Sequence, residues 1–177
     1  FQNQPLVQLY LLTILEQRFG DRVNLSLIDL RGIDESRLLQ SIPEKDVFLY
    51  SVGTQDFYEF STLVQELRTV YPEAKHIAGG THIKLFPDEC ANVFDSIAIG
   101  EGEESIVKVI DDVMASTLKP IYTQGAPVNL DLYPYASRKY LPKKAIVGTG
   151  LLQGENQNLP GTAFIFSRGC PFNCYFC

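Results

Sequence analysis

Three cysteines, Cys170, Cys174 and Cys177, fall at CxxxCxxC spacing inside SRGCPFNCYFC, the last stretch of this 177-residue chain. Thiolates so close together can turn inward on one centre, a metal pattern rather than the disulfide framework of a secreted domain. A cluster of four irons takes four ligands, so three cysteines leave one iron open to a small molecule. A structural zinc site asks for a fourth Cys or His, and the two histidines, His76 and His82, lie far upstream. The spacing favours an iron-sulfur cluster, against a zinc site completed by a segment outside this sequence or a simple surface group of thiols. Cys90 stands apart and reads as a structural thiol packing as a small hydrophobe.

The elements that must position this run can be read upstream. The chain is 45% hydrophobic, enough for one well-packed domain and a remainder. A formal charge of -6 argues against a broad basic surface for nucleic acid. No basic, apolar leader opens the sequence, and runs such as LYLLTIL fall far short of the roughly 20 residues that span a bilayer. A cytoplasmic location is expected. The first residue is Phe, and the expectation is a piece of a longer protein.

Residues 5–19 read as a buried helix, with Pro5 suited to its first turn. VNLSLIDL, 23–30, alternates like a half-buried strand, and a short helix capped by Asp34 is expected over 34–41. VFLYSV, 47–52, is continuously apolar, as in a central strand covered on both faces. Phe57, Phe60, Leu63, Val64, Leu67 and Val70 define an amphipathic helix that Pro72 ends. Brief strands lead into Gly79-Gly80 and, over 95–99, into GEGEES. The helix that follows carries Ile106, Val109, Ile110 and Val113 on one face, with Glu103 and Glu104 in its first turn.

Alternating strands and helices predict an α/β, Rossmann-like (flavodoxin-like) doubly wound parallel sheet over 1–116. The pattern supplies four strands, whereas a flavodoxin-like sheet has five in the order 2-1-3-4-5, so the first is expected upstream of Phe1. Residues 117–161, broken by prolines and glycines, read as an irregular linker with short strands near 145–147. TAFIFS, 162–167, reads as the strand that opens a second domain, 162–177.

CPFNCYFC, entered from a strand through SRG, resembles the cluster motif of the radical S-adenosylmethionine family, with Phe176 as the aromatic before the last cysteine. The resemblance implies that Cys170, Cys174 and Cys177 hold a 4Fe-4S cluster whose open iron binds S-adenosylmethionine, and that the strand is the first of a truncated radical SAM barrel. Phe176 would sit near the adenine or pack in the barrel core. SVGTQDFYEF, GGTHIKLFPDE, IAIGEGEES and the linker DLYPYA are similar to the cobalamin-binding domain that precedes the radical domain in one large subfamily.

That likeness implies cofactor contacts from Ser51, Gly53, Thr54, Gly79, Gly80, Thr81, Gly100, Glu101 and Gly102, which all fall at the carboxyl ends of expected strands, where open sheets bind ligands. The alternative is that the glycines merely make tight turns and that Glu101 and Glu103 are helix-start anions. The Asp-x-His-x-x-Gly motif of cobalt-ligating proteins is absent, which makes His82 a poor candidate; cobalamin would bind without a protein histidine ligand. The expected activity is that of a methyltransferase acting on an unactivated centre, supplied with electrons by a donor such as flavodoxin or ferredoxin. The alternative is cobalamin-independent radical chemistry (cyclisation, oxidation or sulfur insertion) with a vestigial binding domain, the chain as given being only a binding module.

Overall fold

The computed structural model describes residues 4–30, 33–34, 37–125, 128–141, 162–165, 172 and 175. Helix α1, Leu6–Phe19, follows Pro5 and buries Leu9, Leu12, Ile14, Leu15 and Phe19. Four strands follow: β1 Val47–Ser51, β2 Lys75–Gly79, β3 Ser96–Ile99 and β4 Ile121–Thr123. All pair in parallel, in the order β1-β2-β3-β4. The remaining helices are α2 Leu38–Ser41, α3 Phe57–Val70, α4 Thr81–Leu85, α5 Pro87–Ala91 and α6 Gly102–Met114. The fold is thus α/β with a parallel sheet, consistent with a Rossmann-like arrangement. No helix among the described residues is long and apolar enough to cross a membrane.

The sheet is covered on both faces. Side chains alternate along a strand, so Phe48 packs with Leu63 and Leu67 of α3, while Ala78 and Ile97 pack with Val64, Ile83 and Cys90. On the other face Ile77 and Tyr122 meet Val109 of α6, and Ile106 and Ile110 pack on Leu15 and Phe19 of α1. Leu11 touching Gly102, Leu15 touching Ile106 and Arg18 paired with Asp111 show that α1 and α6 run side by side in one direction.

Four expectations about the elements are corrected. Residues 23–30 join no ladder: a strand needs a hydrogen-bonded neighbour, and between these residues and β1 lies a cleft of about 780 Å³. The second helix begins at Leu38, with no side-chain cap, rather than at Asp34, whose carbonyl accepts the Arg37 N–H at 2.9 Å. The fourth strand comes instead from 121–123, inside the stretch read as irregular linker. Tyr122 fixes it there, 6% exposed, its hydroxyl donating to Asp112 Oδ2 at 2.7 Å and accepting the Lys119 N–H at 3.1 Å.

The crossover through α6 lies on the opposite face from those through α3 and through α4 and α5, yet advances along the sheet in the same direction. It therefore has the opposite hand to them, an arrangement the usual rule for parallel crossovers disfavours. The run 47–52, expected to be central, forms an edge of the described sheet, and Leu49 is 39% exposed.

Candidate functional site

The carboxyl ends of β1, β2 and β3 gather the residues singled out in the sequence. Ser51, Gly79, Gly80, Thr81, Gly100, Glu101 and Gly102 all line the cleft, together with apolar walls that include Leu11, Leu25 and Val47. Gly53 and Thr54 do not; they belong to the adjoining turn, where a Cβ on Gly53 would meet Asp56 Oδ2 at 2.9 Å. The site is a rim of small and polar groups over an apolar cavity.

The rim glycines answer first to the fold. Gly80 holds φ at +114°, and a Cβ there would stand 2.6 Å from the Val52 carbonyl oxygen. Gly100, at φ +103°, would drive a Cβ into the Gln124 carbonyl. Each lets a loop leave its strand tightly against neighbouring backbone. At Gly102 a Cβ would stand 3.1 Å from the Leu11 side chain, so α1 and α6 approach closely here. At Gly79 only ordinary contact with the Ala98 carbonyl arises, at 3.7 Å.

His82 lies behind the rim, 4% exposed, between the rings of Phe57 and Phe86 at 4.4 and 4.9 Å. Its Nδ1 is 3.3 Å from Thr54 Oγ1 and its Nε2 is 3.5 Å from Glu89 Oε2. Through Nδ1 the imidazole ties the turn after β1 to α4, while the buried Nε2 makes no hydrogen bond to Glu89. Glu103, 1% exposed, lies in the first turn of α6 and lines the cleft, where the helix dipole favours its charge. Its burial reaches beyond the helix-start role that the sequence suggests.

A second polar group, unforeseen in the sequence, lies on the α3 face. The Tyr50 hydroxyl is 2.8 Å from Nδ1 of the fully buried His76, whose backbone N–H donates to Asp95 Oδ2 at 2.7 Å; Arg68 meets the other carboxylate oxygen at 2.9 Å. Burial pushes the imidazole below its ordinary range, more than the Asp95 charge offsets, and pushes the Tyr50 phenol far up. No periodicity marks this group, because the apolar pattern of β1 hides the one hydroxyl that the histidine needs. Cys90 is fully buried, and burial, aided by Glu89, pushes its thiol up to about 11.

Cys170, Cys174, Phe176 and Cys177 lie outside the described residues. The segment that leads to them does not. Gln4 Oε1 accepts the Thr162 hydroxyl at 3.2 Å and the Ala163 N–H at 3.4 Å. Arg138 donates to the Ala136 and Ala163 carbonyls and lies 5.1 Å over the Phe164 ring. Ser137 donates its N–H to Thr13 Oγ1 at 2.8 Å, and Lys139 pairs with Glu16. Residues 162–165 are thus fastened to the start of α1. Leu11 already stands level with Gly102, and Gln4 lies about two helical turns before it, beyond the carboxyl edge of the sheet. Among the described residues no group of three or more His, Cys, Asp or Glu is placed to hold a metal ion.

No protein-family profile matches the chain. A bacteriochlorophyllide d C-8(2)-methyltransferase of Chlorobaculum tepidum is 32% identical over 108 residues, 57% of this chain and 21% of that protein. An uncharacterized methyltransferase of Pyrococcus horikoshii is 24% identical over 193 residues, 98% of this chain and 40% of that one. The chain therefore spans a fifth to two fifths of the length of these relatives. Among solved structures, the N-terminal domain of a hypothetical protein of Thermotoga maritima aligns at a TM-score of 0.47 and 24% identity, over 70% of this chain and 92% of that one. The curated relatives that the chain resembles are methyltransferases.

Proposed function

We propose that this chain is the N-terminal part of a cobalamin-dependent-type radical S-adenosylmethionine methyltransferase. The observation that carries the reading is the joining, in one chain, of a CxxxCxxC run to a parallel sheet whose strand ends open on a polar-rimmed cleft. The methyltransferase relatives support the kind of group transferred. Cys170, Cys174 and Cys177 would supply three thiolates to the cluster, a soft donor set suited to iron and sulfide. Ser51, Thr81 and Glu101 would offer polar contacts to a cobalamin, and the apolar walls of the cleft would exclude water from its underside. No imidazole is presented to it, since His82 is turned to Thr54 and Glu89.

When bound, the cluster with S-adenosylmethionine supplies one-electron chemistry, and cobalamin supplies a methyl carrier. The chain's own part is to hold these groups near each other. Gln4 and Arg138 fix the segment entering the cysteine run beyond the rim to which a cobalamin would bind. A reducing protein such as flavodoxin or ferredoxin is the partner this chemistry requires. A second reading, radical chemistry without cobalamin, is favoured by one observation: Gly80 and Gly100 are already accounted for by their contacts with Val52 and Gln124.

The test is anaerobic reconstitution of the longer natural protein with iron and sulfide, followed by reduction in the presence of S-adenosylmethionine. Formation of 5′-deoxyadenosine that Cys174→Ala abolishes is the expected result. Zinc in place of iron, with no nucleoside released, overturns it.

A further inference from the structure

Tyr50 and His76 form a pair that the proposed chemistry does not use. The phenol oxygen of Tyr50, on β1, is 2.8 Å from Nδ1 of His76, on β2, and the imidazole is fully buried. Phe48 stacks on the imidazole at 5.4 Å, and Phe60 and Phe94 pack on the Tyr50 ring at 5.5 and 5.4 Å. Tyr50 also lines the cleft, one residue before Ser51 on its rim. An oxidisable phenol is thus held among aromatic rings, beside a base and at the wall of a cleft.

The charges around the imidazole decide what the pair can do. Asp95, Arg68 and Lys75 act on it, and burial outweighs them, so the ring is neutral near neutral pH. With its one hydrogen on Nε2, the neutral ring presents the Nδ1 lone pair to the phenol. Burial also disfavours the Tyr50 phenolate, so an electron leaves the phenol together with its proton. Nε2 is buried and has no hydrogen-bond partner among the described residues. A proton received at Nδ1 is therefore not passed on, and it returns when the phenol is reduced. Asp95, whose Oδ2 accepts the His76 main-chain N–H at 2.7 Å, offsets the charge meanwhile.

We propose that Tyr50 and His76 form a redox-active pair, in which a one-electron oxidant at the cleft, such as an oxidised metal complex, draws an electron from the phenol while its proton moves to His76 Nδ1. The phenol O–H bond breaks, an N–H bond forms on the imidazole, and the oxidant gains one electron. A neutral phenoxyl radical is left beside an imidazolium. Return of one electron and of the proton restores the pair. Its chemistry needs neither the cysteine run nor a bound cofactor, so it stands apart from the function proposed above.

The chain has nine tyrosines and no tryptophan, so oxidation of its aromatic side chains falls on tyrosine. Tyr122 is the competitor, its hydroxyl donating to Asp112 Oδ2 at 2.7 Å. A carboxylate is a weaker base than an imidazole by roughly 400-fold, and Asp112 is also engaged by Lys119 at 3.7 Å. Tyr71 donates to the Ile42 carbonyl at 3.0 Å, a group too weakly basic to take the proton.

The test is photo-oxidation of the chain 1–177, with Cys170, Cys174 and Cys177 replaced by Ser, by tris(bipyridine)ruthenium and a cobalt(III) ammine quencher, read by electron paramagnetic resonance. A tyrosyl radical that outlives those on exposed tyrosines such as Tyr58 and Tyr135 is expected. Tyr50→Phe should abolish it and Tyr122→Phe should leave it. His76→Gln, which can keep the hydrogen bond but cannot take the proton, should slow its formation by about a hundredfold. In the chain with Tyr50 and His76 intact, heavy water should slow its formation, a readout that depends on no substitution in the pair. A long-lived radical that survives Tyr50→Phe overturns the proposal, as does the absence of any long-lived radical. Formation at the same rate in water and heavy water, or in the folded His76→Gln variant, likewise overturns it.

Discussion

Gln4, just before the first helix, accepts the backbone N–H of Ala163, 159 residues further along the chain, at 3.4 Å. Arg138 takes the carbonyl of the same residue, so Ala163 has both of its main-chain groups held by side chains of the preceding segments. Gln4→Ala should speed exchange of the Ala163 amide by about fivefold, the loss of one hydrogen bond worth about 1 kcal/mol. Arg138→Ala should add to this and leave exchange in β2 and β3 unchanged. Hydrogen exchange of the two variants checks both statements.

Gly80 and Gly100 should tolerate no side chain. Gly100→Ala forces a left-handed conformation and a collision with Gln124, at a cost of about 1–3 kcal/mol. Gly80→Ala should cost a comparable amount against Val52. Gly79→Ala, which meets only ordinary contact, should cost less than either. Urea unfolding of the three variants gives the order directly.

The buried His76 makes stability pH-dependent with a definite sign. Its folded value lies below the ordinary 6.5 because burial disfavours the imidazolium. The unfolded chain therefore binds the proton first as pH falls. Stability contributed by the neutral imidazole is fully present above about 6.5 and is lost as pH drops from there toward the lower folded value. His76→Gln should flatten this dependence. Unfolding midpoints between pH 7.5 and pH 5, compared for the two proteins, provide the check.

Cys90 should be inert in the folded protein. With its thiol pushed up to about 11 and no solvent access, it carries little thiolate near neutrality. In a variant with Cys170, Cys174 and Cys177 replaced by Ser, a thiol reagent such as dithionitrobenzoate should titrate Cys90 only after denaturant is added.

Where a residue's neighbours follow from periodicity, the sequence was legible. The three- and four-residue steps of α3 and α6 placed Val64, Leu67, Ile106 and Val109 in the core where the structure has them. The strand ends fell where glycine followed an apolar run, which located Ser51, Gly79 and Gly100 on one rim. Contacts between distant residues carry no such period. Nothing in the alternation of 23–30 tells whether a partner strand lies beside it, and a strand of three residues after Pro120 is too short to display one. The Tyr50–His76 contact and the Gln4 and Arg138 hold on Ala163 depend on side chains meeting across the fold, which spacing does not encode.

The proposed methyl transfer stands on a cobalamin seated at the rim. Its presence is tested by incubating the longer natural protein with hydroxocobalamin, removing free cofactor by gel filtration and reading the visible spectrum. Retention near one equivalent, unaffected by His82→Ala in protein shown to be folded, is the expected result. Loss of all cobalamin on the column from folded protein would contradict it and leave radical chemistry without the methyl carrier.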